Sequence, residues 1–274
     1  MNLSNTTIRV IVAFVGIPTM LFVCWYGKFL FYLLTLAIGL VAYYEFSKII
    51  RKKNSNANLI IGCLAIISIV TEAYNSFVDF KVLVLCIIIL TLSFELFRNK
   101  GSAVNNLGGT FIGVFYIGLF ASTLILIREY YNQSEFLYNR GGYLIISVLA
   151  TIWICDSAAF FLGSSFGRHK LFPRVSPNKS WEGAIAGFMF SLITMIVMKE
   201  LLVNFISILD AVVLGVIIGV FGQLGDLVES LLKRDVDVKD SSSILPGHGG
   251  IFDRFDSLLF SSPFIYLYMF FFFR

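Results

Sequence analysis

Nine apolar runs follow one another along the 274 residues, with only short polar segments between them. They cover roughly 9–26, 29–47, 58–73, 77–97, 108–127, 142–163, 183–203, 210–232 and 257–273. A helix of about 20 apolar residues crosses the hydrocarbon core of a bilayer, so each run is long enough, or nearly so, to span. Glu72 and Lys199 make the third and seventh runs the least uniform. Composition agrees: 58% of the residues are hydrophobic and 14% charged, where soluble domains carry about a quarter charged. A water-soluble core could not hide that much apolar surface. The sequence therefore predicts an all-α, polytopic integral membrane helical bundle of about nine transmembrane helices. It reads as a single membrane domain over 1–274, with N-terminal helices in 1–141 and a more polar C-terminal part in 142–274.

Nine spans put the termini on opposite sides. With the N-terminus inside, fifteen of the 21 Lys and Arg residues fall on the inner side. The other six, Lys28, Lys81, Arg128, Arg140, Lys199 and Arg274, fall outside. That asymmetry is the positive-inside pattern, and it places the polar loops 164–182 and 233–256 in the cytoplasm. The first run has no small-residue cleavage site and reads as a retained helix. Cys24, Cys63, Cys86 and Cys155 are scattered through apolar runs without pairing, as small buried hydrophobes are. With only two histidines, a His/Cys zinc site is not expected.

Charge is concentrated near the C-terminus. The 28 residues Ser230–Ser257 hold nine charged side chains, where the chain average gives about four. Just upstream, FGQLGDLVESLLKRD places Asp226, Glu229, Ser230 and Lys233 at i, i+3, i+4 and i+7, one face of a helix. A carboxylate at membrane depth costs a few kcal/mol and points into a bundle toward a partner or an ion. An Asp–Lys pair that only ties helices together is the simplest use of that face.

The following loop, PGHGGIFDRFDS, adds groups of the same kind. Gly247, Gly249 and Gly250 allow backbone N–H groups to turn toward an anion. Asp253 and Asp256 stand at i and i+3, where both can reach one cation, and hard carboxylate oxygens suit Mg²⁺. Lys233, Arg234, Lys239 and Arg254 can neutralise phosphate charge. Neither a P-loop nor a Rossmann fingerprint is present, so nucleotide chemistry would proceed without either. The loop CDSAAFFLGSSFGRHKLFPRVSPNKSWEG carries a second intramembrane carboxylate, Asp156, then Arg168, Lys170, Arg174 and Lys179. It suits an anionic head group or a lipid surface. A Ser-Pro turn at Ser176-Pro177 is expected there, with Ser180 capping the next helix.

Ser230, Leu232, Lys233-Arg234, Lys239-Asp240, Pro246, His248-Gly249-Gly250, Asp253-Arg254 and Asp256 together resemble the signature of the phosphatidate cytidylyltransferase (CDP-diglyceride synthetase) family. FGRHKLFPRVSPNKSWEG is similar to a second stretch of that family. The family commonly has Gly and Arg where Ala158 and Ser164 stand here. The resemblance implies transfer of CMP from CTP to phosphatidic acid, giving CDP-diacylglycerol and pyrophosphate. It implies Asp226, Lys233, Asp253 and Asp256 as catalytic residues, with Asp226, Asp253 and Asp256 holding Mg²⁺. Asp156, Arg174, Ser176, Lys179, Ser230, Arg234, Lys239, His248, Gly249, Gly250 and Arg254 are implied in substrate binding. A homodimer in a bacterial inner membrane, with its active site facing the cytoplasm and no nucleic-acid partner, completes the expectation. Two alternatives remain open: a CTP-dependent transferase or kinase acting on a polyprenol or ether lipid, and an ion-coupled transporter using Asp156, Glu95 and Asp226.

Overall fold

Each predicted span is a helix in the computed structural model, which describes residues 5–242, 244 and 249–273, with side chains from residue 13 onward. The helices are α1 Asn5–Tyr26, α2 Lys28–Ile50, α3 Leu59–Asn75 and α4 Phe80–Arg98, then α5 Ala103–Arg128. They continue as α6 Tyr138–Phe166, α7 Trp181–Leu201, α8 Ile208–Asp235 and α9 Phe252–Phe272. Seven, α2 and α4 to α9, are long and apolar enough to cross a membrane, while α1 and α3 are apolar with shorter described stretches. The protein is a polytopic membrane helical bundle.

Local signals fix the helix ends. Asn58 caps α3, its Oδ1 accepting from the Ile61 N–H at 3.1 Å. Asp79 caps α4 in the same way at 2.8 Å. Ser207 and Asp210 form a reciprocal capping box at the start of α8, which satisfies N–H groups that a helix start otherwise leaves bare. The last apolar run starts at 257, and α9, which carries it, begins at Phe252, so that the acidic pair falls at the start of the helix as its spacing suggests. Asp253 and Asp256 therefore sit in its first two turns.

Burial follows one stripe per peripheral helix. On α4, Leu83, Ile87, Thr91 and Glu95 are buried at four-residue intervals, while Leu85, Ile89, Leu92 and Leu96 are exposed. That is the pattern of a helix with one face on a bundle and the other in lipid. Cys86 lies on the exposed face of α4, so it is not the buried hydrophobe that its apolar surroundings suggest. Glu95 accepts from Asn106 Nδ2 at 2.6 Å and pairs with Arg98 at 3.2 Å, so it joins α4 to α5. On the opposite side of the bundle, Arg128 is wholly buried. It donates to the carbonyls of Cys24, Trp25 and Tyr138 at 2.8, 2.8 and 3.1 Å, closing the α1–α2 turn at Gly27.

The loop between α6 and α7 folds into a two-stranded antiparallel ribbon, β1 Lys170–Phe172 and β2 Ser176–Ser180. Ser176 and Pro177 lie in β2, not in a turn; the turn is 173–175. In so narrow a ribbon a proline loses no interior ladder bond, which permits it in the strand. Ser180 then caps α7, accepting from the Gly183 N–H at 3.2 Å.

Lipid tails are as apolar as leucine, so helices in a bilayer associate by close packing at small residues. At Gly183 an added Cβ would lie 2.6 Å from the Ala159 carbonyl oxygen, which shows how near α7 approaches α6. At Gly225 it would lie 2.6 Å from Phe260 Cβ and 2.8 Å from the Asp256 carbonyl oxygen. Asp226 and Asp256 are neighbours because α8 and α9 touch there. A short π-helical segment, Ile218–Gly222, precedes this contact, and Gln223 Nε2 bridges the Gly219 and Ala184 carbonyls at 2.7 and 3.0 Å. Gly225→Ala is expected to cost about 1–3 kcal/mol of stability by overpacking, read as a lower unfolding midpoint in detergent. Gly108→Ala, where no atom lies within 4 Å of the new Cβ, should leave the midpoint unchanged.

Candidate active site

The polar face of α8 meets the second turn of α9. Carboxylate oxygens of Asp226, Glu229 and Asp256 all lie within 4.8 Å of one another. Glu229 and Asp256 are buried, at 1% and 8% exposure, so their charges have little water to spread into. Like charges this close, away from solvent, require cations or shared protons. Two lysines answer part of that need. Lys179, delivered by β2, reaches Asp226 Oδ2 at 2.6 Å. Lys233, two turns along α8 from Asp226, reaches Glu229 at 2.6 Å and Asp253 at 2.9 Å. Ser230 Oγ approaches Asp226 Oδ1 at 3.4 Å, and the Ser257 N–H donates to Asp256 at 2.7 Å.

The donor set suits a hard divalent cation. It offers three carboxylates on rigid helices, and Glu229 Oε1 is buried with no hydrogen-bond partner among the described residues. A buried acceptor without a donor is costly, and a coordinated ion would satisfy it. Magnesium keeps several waters and shares substrate phosphates, so three protein oxygens are enough.

Asp253 shares Lys233 with Glu229 and takes two backbone donors besides. It accepts from Lys233 Nζ, from the Ser241 N–H at 3.1 Å and from the Gly250 N–H at 2.8 Å. The glycine turn that could cradle a phosphate thus has its Gly250 N–H turned to a carboxylate of the same chain. Gly249 takes a left-handed conformation at φ +84°, one that glycine adopts without strain. His248 and Gly247 lie outside the described residues.

A cavity of about 1110 Å³ opens beside the three carboxylates. Its lining combines charged side chains, Asp156, Lys170, Lys179, Lys233 and Arg254 with Asp226 and Asp256, and apolar ones, Ile17 and Met20 of α1 with Trp153 and Phe160 of α6. Of the expected substrate residues, Asp156, Lys179 and Arg254 line the cavity, while Arg174, Ser176, Ser230, Arg234, Lys239, Gly249 and Gly250 do not. Arg174 is exposed in the ribbon turn and Ser176 is half-buried in β2. Arg234 donates to the Val175 and Val238 carbonyls at 3.4 and 3.2 Å, tying the ribbon turn to the chain beyond α8. Lys239 is exposed in that segment. Glu229 was on the predicted face but outside the expected ligand set, although its i+3 spacing from Asp226 was the signal that joins them. Lys170 was visible only as one basic residue among four in its loop.

A family model described as the cytidylyltransferase family matches 7–272. The chain is 34% identical over 263 residues to the phosphatidate cytidylyltransferase of Bacillus subtilis strain 168, covering 94% of this chain and 95% of that one. It is 32% identical over 271 residues to the phosphatidate cytidylyltransferase of Brucella melitensis biotype 1, covering 97% and 94%. The enzyme of the same name from Staphylococcus haemolyticus is 46% identical over 125 residues, 46% of this chain and 48% of that one. A match of this extent, on a chain with three clustered carboxylates beside a basic cavity, makes this protein a member of the cytidylyltransferase family.

Proposed function

We propose that the protein transfers the cytidylyl group of CTP to phosphatidic acid, giving CDP-diacylglycerol and pyrophosphate for phospholipid synthesis. One observation carries the reading: the cavity is amphipathic, its lining combining apolar side chains of α1 and α6 with a carboxylate–lysine cluster. A phosphatidate has both characters, with acyl chains and an ionised phosphate, and CTP supplies the second set of charges. The relatives' names support the choice of substrates.

Asp226, Glu229 and Asp256 would hold Mg²⁺, which when bound neutralises nucleotide phosphate charge. Lys179, Lys233 and Arg254 add positive charge around the same phosphates. An anionic oxygen of phosphatidate attacks the α-phosphorus of CTP. The new O–P bond forms as the α–β bridging bond breaks, and its electron pair leaves with pyrophosphate. The nucleophile is already ionised, so no side chain has to remove a proton. Positioning and electrostatics therefore account for the rate, as in other phosphoryl transfers. Asp156 borders the same space on α6 and would bear on the lipid head group. The basic bias of the inner loops supports a site facing the cytoplasm, where CTP is made, in a bacterial inner membrane. The homodimer remains part of the proposal on family resemblance.

Incubating purified protein with α-labelled CTP and phosphatidate should yield labelled CDP-lipid and pyrophosphate; CDP and a phosphorylated alcohol would instead identify a kinase. Asp226→Asn and Asp256→Asn should each lower kcat on the order of 100-fold or more with unchanged elution in gel filtration, and turnover near wild type would remove the metal assignment. Lys233→Met strands two buried carboxylates. It should cost about 3–5 kcal/mol of stability as well as activity, measured by thermal unfolding and turnover of the same preparation.

A further inference from the structure

Glu45 sits in the apolar sequence VAYYEFSKII of α2, far in sequence from the clustered carboxylates and lysines, and it is completely buried. None of the ion pairs among the described residues includes it. Its carboxylate is instead surrounded by four donors from the other end of the chain. Oε1 accepts from Ser242 Oγ at 2.5 Å and from the Ile251 N–H at 3.1 Å. Oε2 accepts from Ser241 Oγ at 3.1 Å and from the Phe252 N–H at 2.8 Å. Ile251 is the N-cap and Phe252 the first residue of α9, where unpaired N–H groups and the helix dipole favour an anion.

Helix α9 is therefore capped by a side chain from α2. The contact is tight, because a Cβ at Gly250 would overlap Ser241 Oγ and come within 2.7 Å of both Glu45 oxygens. Phe46, the next residue of α2, packs edge-on against Phe252 with ring centroids 6.2 Å apart. From the capped end a chain of contacts leads directly to the candidate metal site. Ser241 and Gly250, held against Glu45, give their N–H groups to Asp253. Asp253 holds Lys233, and Lys233 holds Glu229. Asp256, another ligand candidate, is the fifth residue of the helix whose start Glu45 fixes.

We propose that Glu45 is a positioning residue of the active site: by capping α9 and pinning Ser241, Ser242 and Gly250, it sets Asp253, Lys233 and Asp256 at the spacing that a divalent cation and a nucleotide phosphate require. It touches neither substrate nor cation. The N-terminal half of the bundle is on this account part of the catalytic apparatus rather than an anchor for it. The activity arm of the test rests on the cytidylyl-transfer reading; the metal arm does not.

The test uses the full chain in detergent, with Glu45→Gln and Ser242→Ala beside the wild type. Binding of Mn²⁺ alone is followed by electron paramagnetic resonance, and kcat, the KM for CTP and the Mg²⁺ concentration for half-maximal rate are measured on the same preparations. Glu45→Gln places an amide N–H₂ against backbone donors. It should weaken Mn²⁺ binding and lower kcat about 10-fold, as loss of an outer-shell partner typically does. Ser242→Ala keeps three of the four donors and should move both in the same direction, by about fivefold at most. A purely structural role predicts a lower yield and melting point with unchanged Mn²⁺ affinity and unchanged kcat per folded molecule, and that result would overturn the proposal. Should Glu45→Gln not fold, Ser242→Ala decides alone: wild-type Mn²⁺ affinity in that variant also overturns it. A wild type that makes no CDP-lipid, together with weakened Mn²⁺ binding in the variants, would remove the substrate reading and leave the positioning role standing.

Discussion

Asp226, Glu229 and Asp256 bring negative oxygens within 4.8 Å of one another inside a bundle, and much of the architecture answers that crowding. Repulsion between carboxylates grows as the surrounding dielectric falls, so such a cluster persists only where the helices that carry it cannot move apart. Gly225 lets α8 and α9 touch at the cluster. Gln223 bridges α8 to the α7 backbone just before it. Lys233 and Lys179 bring compensating charge from within α8 and from the ribbon. Substrates that are themselves polyanions then find fixed cations alongside groups able to hold one more.

Backbone donors at the start of α9 show how the chain assigns its anion-binding capacity. A glycine-rich turn leading into a helix is a ready site for phosphate, yet the N–H groups of Gly250, Ile251 and Phe252 are turned to Asp253 and Glu45. The donors work internally, holding the loop that presents the reactive groups. The cations that line the cavity are side chains, Lys170, Lys179, Lys233 and Arg254.

Much of this was legible in the sequence because membrane insertion imposes a coarse code. Runs of about 20 apolar residues identify helices whatever their neighbours do, and the helices lie where the runs lie. The face Asp226–Glu229–Ser230–Lys233 was readable from helical periodicity alone. Periodicity could not say which acidic residue of α9 would turn toward that face. Asp253 and Asp256 both meet it, the first at Lys233 with the Gly250 and Ser241 N–H groups as its other donors, the second among the carboxylates. The ribbon at 170–180 was hidden because its pairing spans a turn containing proline and because three-residue strands carry too little alternation to register. Glu45 left only one trace, a lone carboxylate in an apolar helix, and its partners lie about 200 residues away.

On the far side of the bundle, Arg128 fastens the α1–α2 turn by taking the carbonyls of Cys24 and Trp25 from more than a hundred residues downstream. A nascent chain that enters the bilayer from its N-terminus makes its first hairpin well before that guanidinium emerges from the ribosome. The earliest hairpin is consequently a provisional one during biogenesis, latched only when α5 arrives, and a truncated chain ending before Arg128 would present its opening helices without their fastening.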